Sequence, residues 1–132
     1  MANGLIEATL ERVAVSDSDF DQKCFERFFQ MSEEGKSLMA HMDHVHRGKM
    51  IAEVYRLLLA EKLEDEAGYL NWEAKNHETA YFVPKNLYAI FMKALQALVA
   101  DTLGTDWSSA ESDAFSARCD QIAHEIQSQY SE

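Results

Sequence analysis

Leu63-Glu64-Asp65-Glu66-Ala67-Gly68-Tyr69-Leu70-Asn71-Trp72-Glu73-Ala74-Lys75-Asn76-His77 carries apolar residues at 63, 67, 70 and 74 and a histidine at 77. Steps of 4, 3, 4 and 3 place all five on one face of a helix. The chain then breaks toward Pro84. A neutral imidazole facing a core has to find a partner. A hydrogen-bonded core histidine meets that need. So does an exposed histidine at a helix end, where a cation suits the dipole.

Working outward, His46 lies 31 residues earlier and heads a second apolar stripe with Met50, Val54 and Leu57 or Leu58. Two such histidines on consecutive helices could face each other across a slot. Haem requires that arrangement, with one imidazole on the iron and one over the vacant position.

The same periodicity runs through the whole chain. Ile6, Leu10 and Val13 mark a first helix. Ser16-Asp17 reads as the cap of a second, with Phe20, Cys24, Phe28 and Met31 on its inner face. Ser32-Glu33-Glu34 opens a short turn of helix, and a long helix is expected from about Met42 to Lys62. Pro84 suits a first helical turn, where its missing N–H costs nothing. Phe91, Leu95, Leu98 and Thr102 continue that helix, and Gly104 ends it. Ser108-Ser109-Ala110-Glu111 is a capping box. It opens a last helix with Phe115, Cys119, Ile122 and Ile126 inward. With one proline and five glycines, an all-β chain lacks the breakers it needs. The expectation is an all-α protein of six to seven helices.

The chain has 132 residues, which suits one domain, 1–132. A net charge of −11 repels phosphate backbones and anionic lipid, so neither nucleic acid nor membrane is an expected partner. No segment is expected to reach the ~20 apolar residues of a spanning helix. The first ten residues lack the basic start and apolar run of a signal peptide. Cys24 and Cys119, the only two cysteines, sit on apolar stripes and read as buried free thiols. These features together place the protein in the cytoplasm.

Three further histidines are at 41, 44 and 124. His41 and His44 are i, i+3 neighbours and could share a transition metal with Asp43 and His46. A dedicated zinc site asks for four ligands at a recognised spacing, so incidental surface histidines are the simpler account. His124 reads as a surface residue. Serine, histidine and aspartate are all present, but no nucleophile elbow frames them, and no enzymatic activity is assigned.

In order and spacing, these segments resemble a bacterial single-domain globin over about residues 17–127. Residues 25–39, from Phe25 to Met39, resemble the family's second helix and the turn after it. His46-Arg47-Gly48-Lys49-Met50 resembles the start of the distal helix, and Leu70 to His77 the proximal helix. Val83-Pro84 with Tyr88 and Phe91 resembles the opening of the helix that closes the proximal side. Trp107-Ser108 and the last amphipathic helix complete the likeness.

The resemblance implies a globin-like fold with a haem pocket between the distal and proximal helices. It also implies haem b as cofactor and a diatomic gas, oxygen or else nitric oxide or carbon monoxide, as ligand. His77 is then the proximal iron ligand and His46 the distal residue, with His44 its rival. His46 either hydrogen-bonds the gas or ligates iron itself. Phe25 and Met50 pack over the ligand site and Val54 against the ring. Val83, Tyr88 and Phe91 line the proximal side. Lys49 meets a propionate or stays solvated. A backbone carbonyl of the same helix is the expected partner of the second His77 nitrogen. An enzymatic or sensing role calls on a separate reductase or transmitter.

One departure stands out. The family nearly always has a phenylalanine on the haem at the corner after the second helix, and Met39 stands there, with Leu38 before it. A haem-free globin-like sensor or interaction module, acting through protein contacts or sensing a small apolar ligand, is the alternative.

Overall fold

The computed structural model describes residues 2–79 and 83–130. Seven α-helices run through them: α1 (Ala2–Ser16), α2 (Phe20–Met31), α3 (Glu33–Met39), α4 (His44–Leu59), α5 (Ala67–Thr79), α6 (Asn86–Leu103) and α7 (Ser109–Ser128). Short 3-10 helices at Leu63–Glu66 and Gly104–Asp106 lead into α5 and out of α6. The described residues contain no strand.

Helix α6 lies against α1, α2 and α7. Ala94, Leu95 and Val99 on it are fully buried. Its composition suits that position, since a helix that packs against several neighbours carries apolar residues on more than one face. Asn86–Asp106 averages a hydropathy of 1.2 and is long and apolar enough to cross a membrane by length and composition. That corrects the expectation that no segment comes near such apolarity. Here the apolar surface is met by other helices. The stripes expected on α1, α2 and α7 are the ones buried around it, through Ile6, Val13, Phe20, Cys24, Phe28, Phe115, Cys119, Ile122 and Ile126. Met31, expected among them, is 43% exposed, because α2 ends there and Ser32 turns the chain away. Both thiols are free and buried, and burial pushes Cys24 up to about 12 and Cys119 higher still.

Side chains set the helix ends. Asp17 does not cap α2 directly. Asp19 holds the cap position, while Asp17 Oδ1 accepts from the Asp19 N–H at 2.9 Å and its other oxygen pairs with Lys23 at 2.6 Å. Ser32 caps α3 by accepting from the Gly35 N–H at 2.9 Å. Ser108 and Glu111 form the expected capping box on α7, at 3.1 and 3.0 Å, and Arg12 of α1 pairs with the same glutamate at 3.1 Å. Gly104 ends α6 at φ +54°, a conformation that side chains with a Cβ resist.

Helix α4 is shorter than its sequence pattern, running from 44 to 59 and not from 42 to 62. Asp43 caps its start. At its end Arg118 of α7 reaches in, and its Nη1 donates to the carbonyls of Ala60 at 2.7 Å and Leu57 at 3.0 Å, with Leu58 at 3.5 Å. A guanidinium is well suited to the carbonyls at the C-terminus of a helix, the negative end of its dipole.

Arg118→Met is therefore expected to cost about 1.5–3 kcal/mol, the usual worth of hydrogen bonds to a charged group. Thermal unfolding should move down by roughly 5–10 °C, with Arg118→Lys recovering only part of the loss. Gly104→Ala should cost about 1–2 kcal/mol through its positive φ. An unchanged melting temperature in both would remove these two anchors from the account.

Candidate functional site

A cavity of about 600 Å³ lies beside α4 and α5. Small-molecule sites span about 300–1,000 Å³ and are mostly apolar with a few placed polar groups. The walls match that pattern. Phe28 comes from α2, Leu38 and Met39 from α3, Met50, Val54 and Leu57 from α4, and Leu87, Phe91 and Met92 from α6. Ile122 and Ile126 of α7 also border it. The polar groups are His46 at the start of α4, His41 before it, Glu53 further along α4, Tyr69, Glu73, Asn76 and His77 on α5, and Tyr88 on α6.

Eight of the ten sequence-derived site residues border this one cavity: Met39, His46, Met50, Val54, His77, Val83, Tyr88 and Phe91. Phe25 and Lys49 are not among its walls. Phe25 is 2% exposed and sits behind Phe91, ring centroids 5.4 Å apart. Phe28 takes the wall position instead and meets Phe91 edge-on at 5.3 Å. Lys49 is exposed, one step round α4 from the stripe of His46, Met50 and Val54.

His77 has partners on both ring nitrogens. Nε2 lies 2.7 Å from Glu73 Oε1, one turn back on α5. The other oxygen of Glu73 accepts from the Tyr69 hydroxyl at 2.8 Å. The His77 hydrogen bond holds the Glu73 carboxyl below its usual range, against the opposing effect of burial. Nδ1 meets the Tyr88 hydroxyl, with the two rings stacked at 5.7 Å. Burial pushes the Tyr88 phenol well up, so it is a neutral hydroxyl. Its oxygen lies 3.2 Å from that of Tyr130, which donates to the Val83 carbonyl at 2.8 Å. A tyrosine from the next helix thus stands where a carbonyl of α5 was expected.

His46 is held differently. Its backbone N–H donates to Asp43 Oδ1 at 2.9 Å, and its Nδ1 lies 2.9 Å from the same oxygen. The backbone bond is the largest cause of the lowered Asp43 pKa. The His46 side chain is 65% exposed, at the rim of the cavity. Its rival His44 is exposed and does not border the cavity. Among the described residues no three His, Cys, Asp or Glu side chains gather as a metal site. The string from His41 to His46 therefore forms no separate centre.

Sequence reasoning missed Phe28, Glu73 and Tyr130. Glu73 had a local signal, since it lies four residues before His77 on one helix face. Phe28 competed with Phe25, and the periodicity of α2 buries both. Tyr130 lies 53 residues beyond His77 in the chain, and no local pattern links them.

No protein-family model matches the chain, and no curated protein matches it in sequence. A solved structure does: a Pseudomonas aeruginosa protein described as structurally highly homologous to a human haemoglobin. It covers 100% of both chains with a TM-score of 0.78 at 19% identity. At that identity the likeness speaks for architecture alone, and the architecture of this chain is globin-like.

Proposed function

We propose that this protein holds one haem b in the cavity, with His77 as proximal iron ligand and His46 on the distal side. Its ligand is a diatomic gas, oxygen first and nitric oxide or carbon monoxide by the same chemistry. The observation that carries this reading is the pairing of two imidazoles, from α4 and α5, on the walls of one largely apolar cavity in a globin-like fold. The donor set fits the group: neutral nitrogen ligands for iron, and aliphatic, methionine and aromatic surface for the ring.

Bound haem supplies a ferrous iron that takes up one diatomic gas reversibly. The chain's own residues hold, orient and shield it. His77 must exchange Glu73 for iron at Nε2, and Tyr69 keeps the released carboxylate partnered at 2.8 Å. An imidazole bound through Nε2 keeps its proton on Nδ1, which then donates to the Tyr88 oxygen. The Tyr88 oxygen lies 3.2 Å from the Tyr130 hydroxyl, and Tyr130 donates to the Val83 carbonyl at 2.8 Å. Every proton along that line has an acceptor, so the ring orientation is fixed without an orphaned group. Met39, Met50, Val54 and Phe91 exclude water from the faces of the ring. A chain of charge −11 in the cytoplasm, with a separate reductase to renew the ferrous state, completes the reading.

A haem-free role through protein contacts is the second reading. Two observations favour it: Glu73 on the nitrogen that iron needs, and Met39 at the corner.

Addition of haemin to the purified protein separates the two. An intense Soret band that shifts with carbon monoxide, and is lost or displaced in His77→Ala, is the expected result. A folded, helical protein that stays colourless supports the haem-free module. Within the haem reading, Tyr88→Phe removes the partner of Nδ1. Haem should then pass to an excess of a tight-binding acceptor about 10-fold faster, the usual scale for losing a partner behind a metal ligand. An unchanged transfer rate would show that Tyr88 does not support His77.

A further inference from the structure

The hydrogen bonds around His77 run in one direction. Glu73 accepts from the Tyr69 hydroxyl on one oxygen, at 2.8 Å, and faces His77 Nε2 with the other, at 2.7 Å. An ionised carboxylate only accepts, so the proton of that second pair sits on Nε2. In the neutral ring Nδ1 is then a lone pair, and the Tyr88 hydroxyl donates to it. The Tyr88 oxygen in turn accepts from Tyr130 at 3.2 Å. Donation thus runs from Tyr130 through Tyr88 and His77 to Glu73, and the carboxylate, which cannot donate, sets the direction. A bond to iron asks for the opposite order, because a nitrogen that carries a hydrogen has no electron pair to give a metal.

We propose that Glu73 is a positioning residue that locks His77 as its Nε2–H tautomer while the cavity is empty, so that cofactor loading waits for this pair to open and for the hydrogen-bond line through Tyr88 to reverse. The inference rests on the haem reading above and adds a control on how the cavity is filled. Both residues border the cavity, and their side chains are 20% and 22% exposed, so the pair is shielded from most of the water that would compete for it. On loading, the Nε2 proton leaves to solvent, a proton from solvent enters at Nδ1, and the electron pair freed at Nε2 forms the bond to iron. The exchange changes neither the charge of the ring nor any oxidation state. Tyr88 then accepts where it had donated, which a hydroxyl does by turning about its C–O bond. The released carboxylate keeps Tyr69 as its donor. Cofactor affinity is reduced to the fraction of the empty protein in which the pair is open.

Two measurements on the natural chain and Glu73→Gln test this. The substitution keeps the shape of the side chain, but an amide offers Nε2 either a donor or an acceptor. In the cofactor-free protein at about pH 8, above the ordinary histidine range, nitrogen-15 spectra should show His77 protonated at Nε2 and bare at Nδ1. Glu73→Gln should return a mixture of the two tautomers. On addition of haemin, the histidine-ligated Soret band should grow about 10-fold faster in Glu73→Gln, through the larger fraction of open protein. A Soret band in Glu73→Gln alone supports the inference and removes the haem reading for the natural chain. A natural ring protonated at Nδ1, or equal growth of the band in the two proteins, overturns the inference and leaves the haem reading standing. No Soret band in either protein removes both.

Discussion

The rest of the site depends on how the His77 ring is satisfied. An imidazole at the end of α5, half-buried, needs a partner for each nitrogen, and each buried group left without one costs about 1–3 kcal/mol. The chain meets that need from three directions. Glu73 comes from the same helix, Tyr88 from α6, and Tyr130 just past α7 backs Tyr88. The backbone joins in. The Val83 N–H donates to the His77 carbonyl at 2.9 Å, and the Val83 carbonyl accepts from Tyr130 at 2.8 Å. Val83 is thus pinned at both ends, which fixes where the connection between α5 and α6 rejoins the bundle. That in turn sets the register of α6, so that Tyr88 arrives beside the ring and Phe91, one turn on, reaches the cavity wall.

The α4 side of the cavity is built on a different principle. His46 lies in the first turn of α4, mostly in solvent, and owes its place to a helix cap. The same carboxylate oxygen that starts α4 also orients the ring, so local folding and site chemistry share one group. At the other end of α4 the grip of Arg118 ties the helix to α7. One histidine is therefore held by tertiary packing and the other by its own helix start.

The legible part of the fold was the part written in periodicity. The stripes on α1, α2 and α7, apart from the exposed Met31 and the half-buried Leu10, the capping box at Ser108 and the stop at Gly104 are local patterns, and they appear in the structure at their expected places. Where a neighbour decides, sequence falls short. The C-terminus of α4 is cut back by Arg118, about 60 residues away, and the apolarity of α6 is explained by helices on several sides. The site follows the same division. The two histidines, Met39, Met50, Val54, Val83, Tyr88 and Phe91 were legible as stripe members in a familiar order, and they meet at one cavity. Tyr130 was not, because only the docking of the chain's end against α6 brings it to Tyr88. Phe25 and Phe28 are one turn apart on the same helix, and a helical period cannot say which ring stands in front.

That last pair bears on the corner where the globin pattern is broken. Met39 stands where the globin resemblance leads one to expect an aromatic residue, and a flexible thioether is a less defined surface than a ring. The structure supplies a ring to the same cavity from α2. Phe28 lies over Gly35 so closely that a Cβ at 35 would stand 2.5 Å from its ring edge. Both residues border the cavity, and Gly35 is held by the Ser32 cap at the start of α3. A glycine at that position is therefore a space requirement of the ring, not a conformational one. Ser32, Gly35 and Phe28 act as a unit, in which the cap fixes the glycine, the glycine admits the ring, and the ring is braced edge-on by Phe91 at 5.3 Å. The aromatic surface missing at the corner is thus present one helix earlier, with the adaptable side chain of Met39 filling what remains.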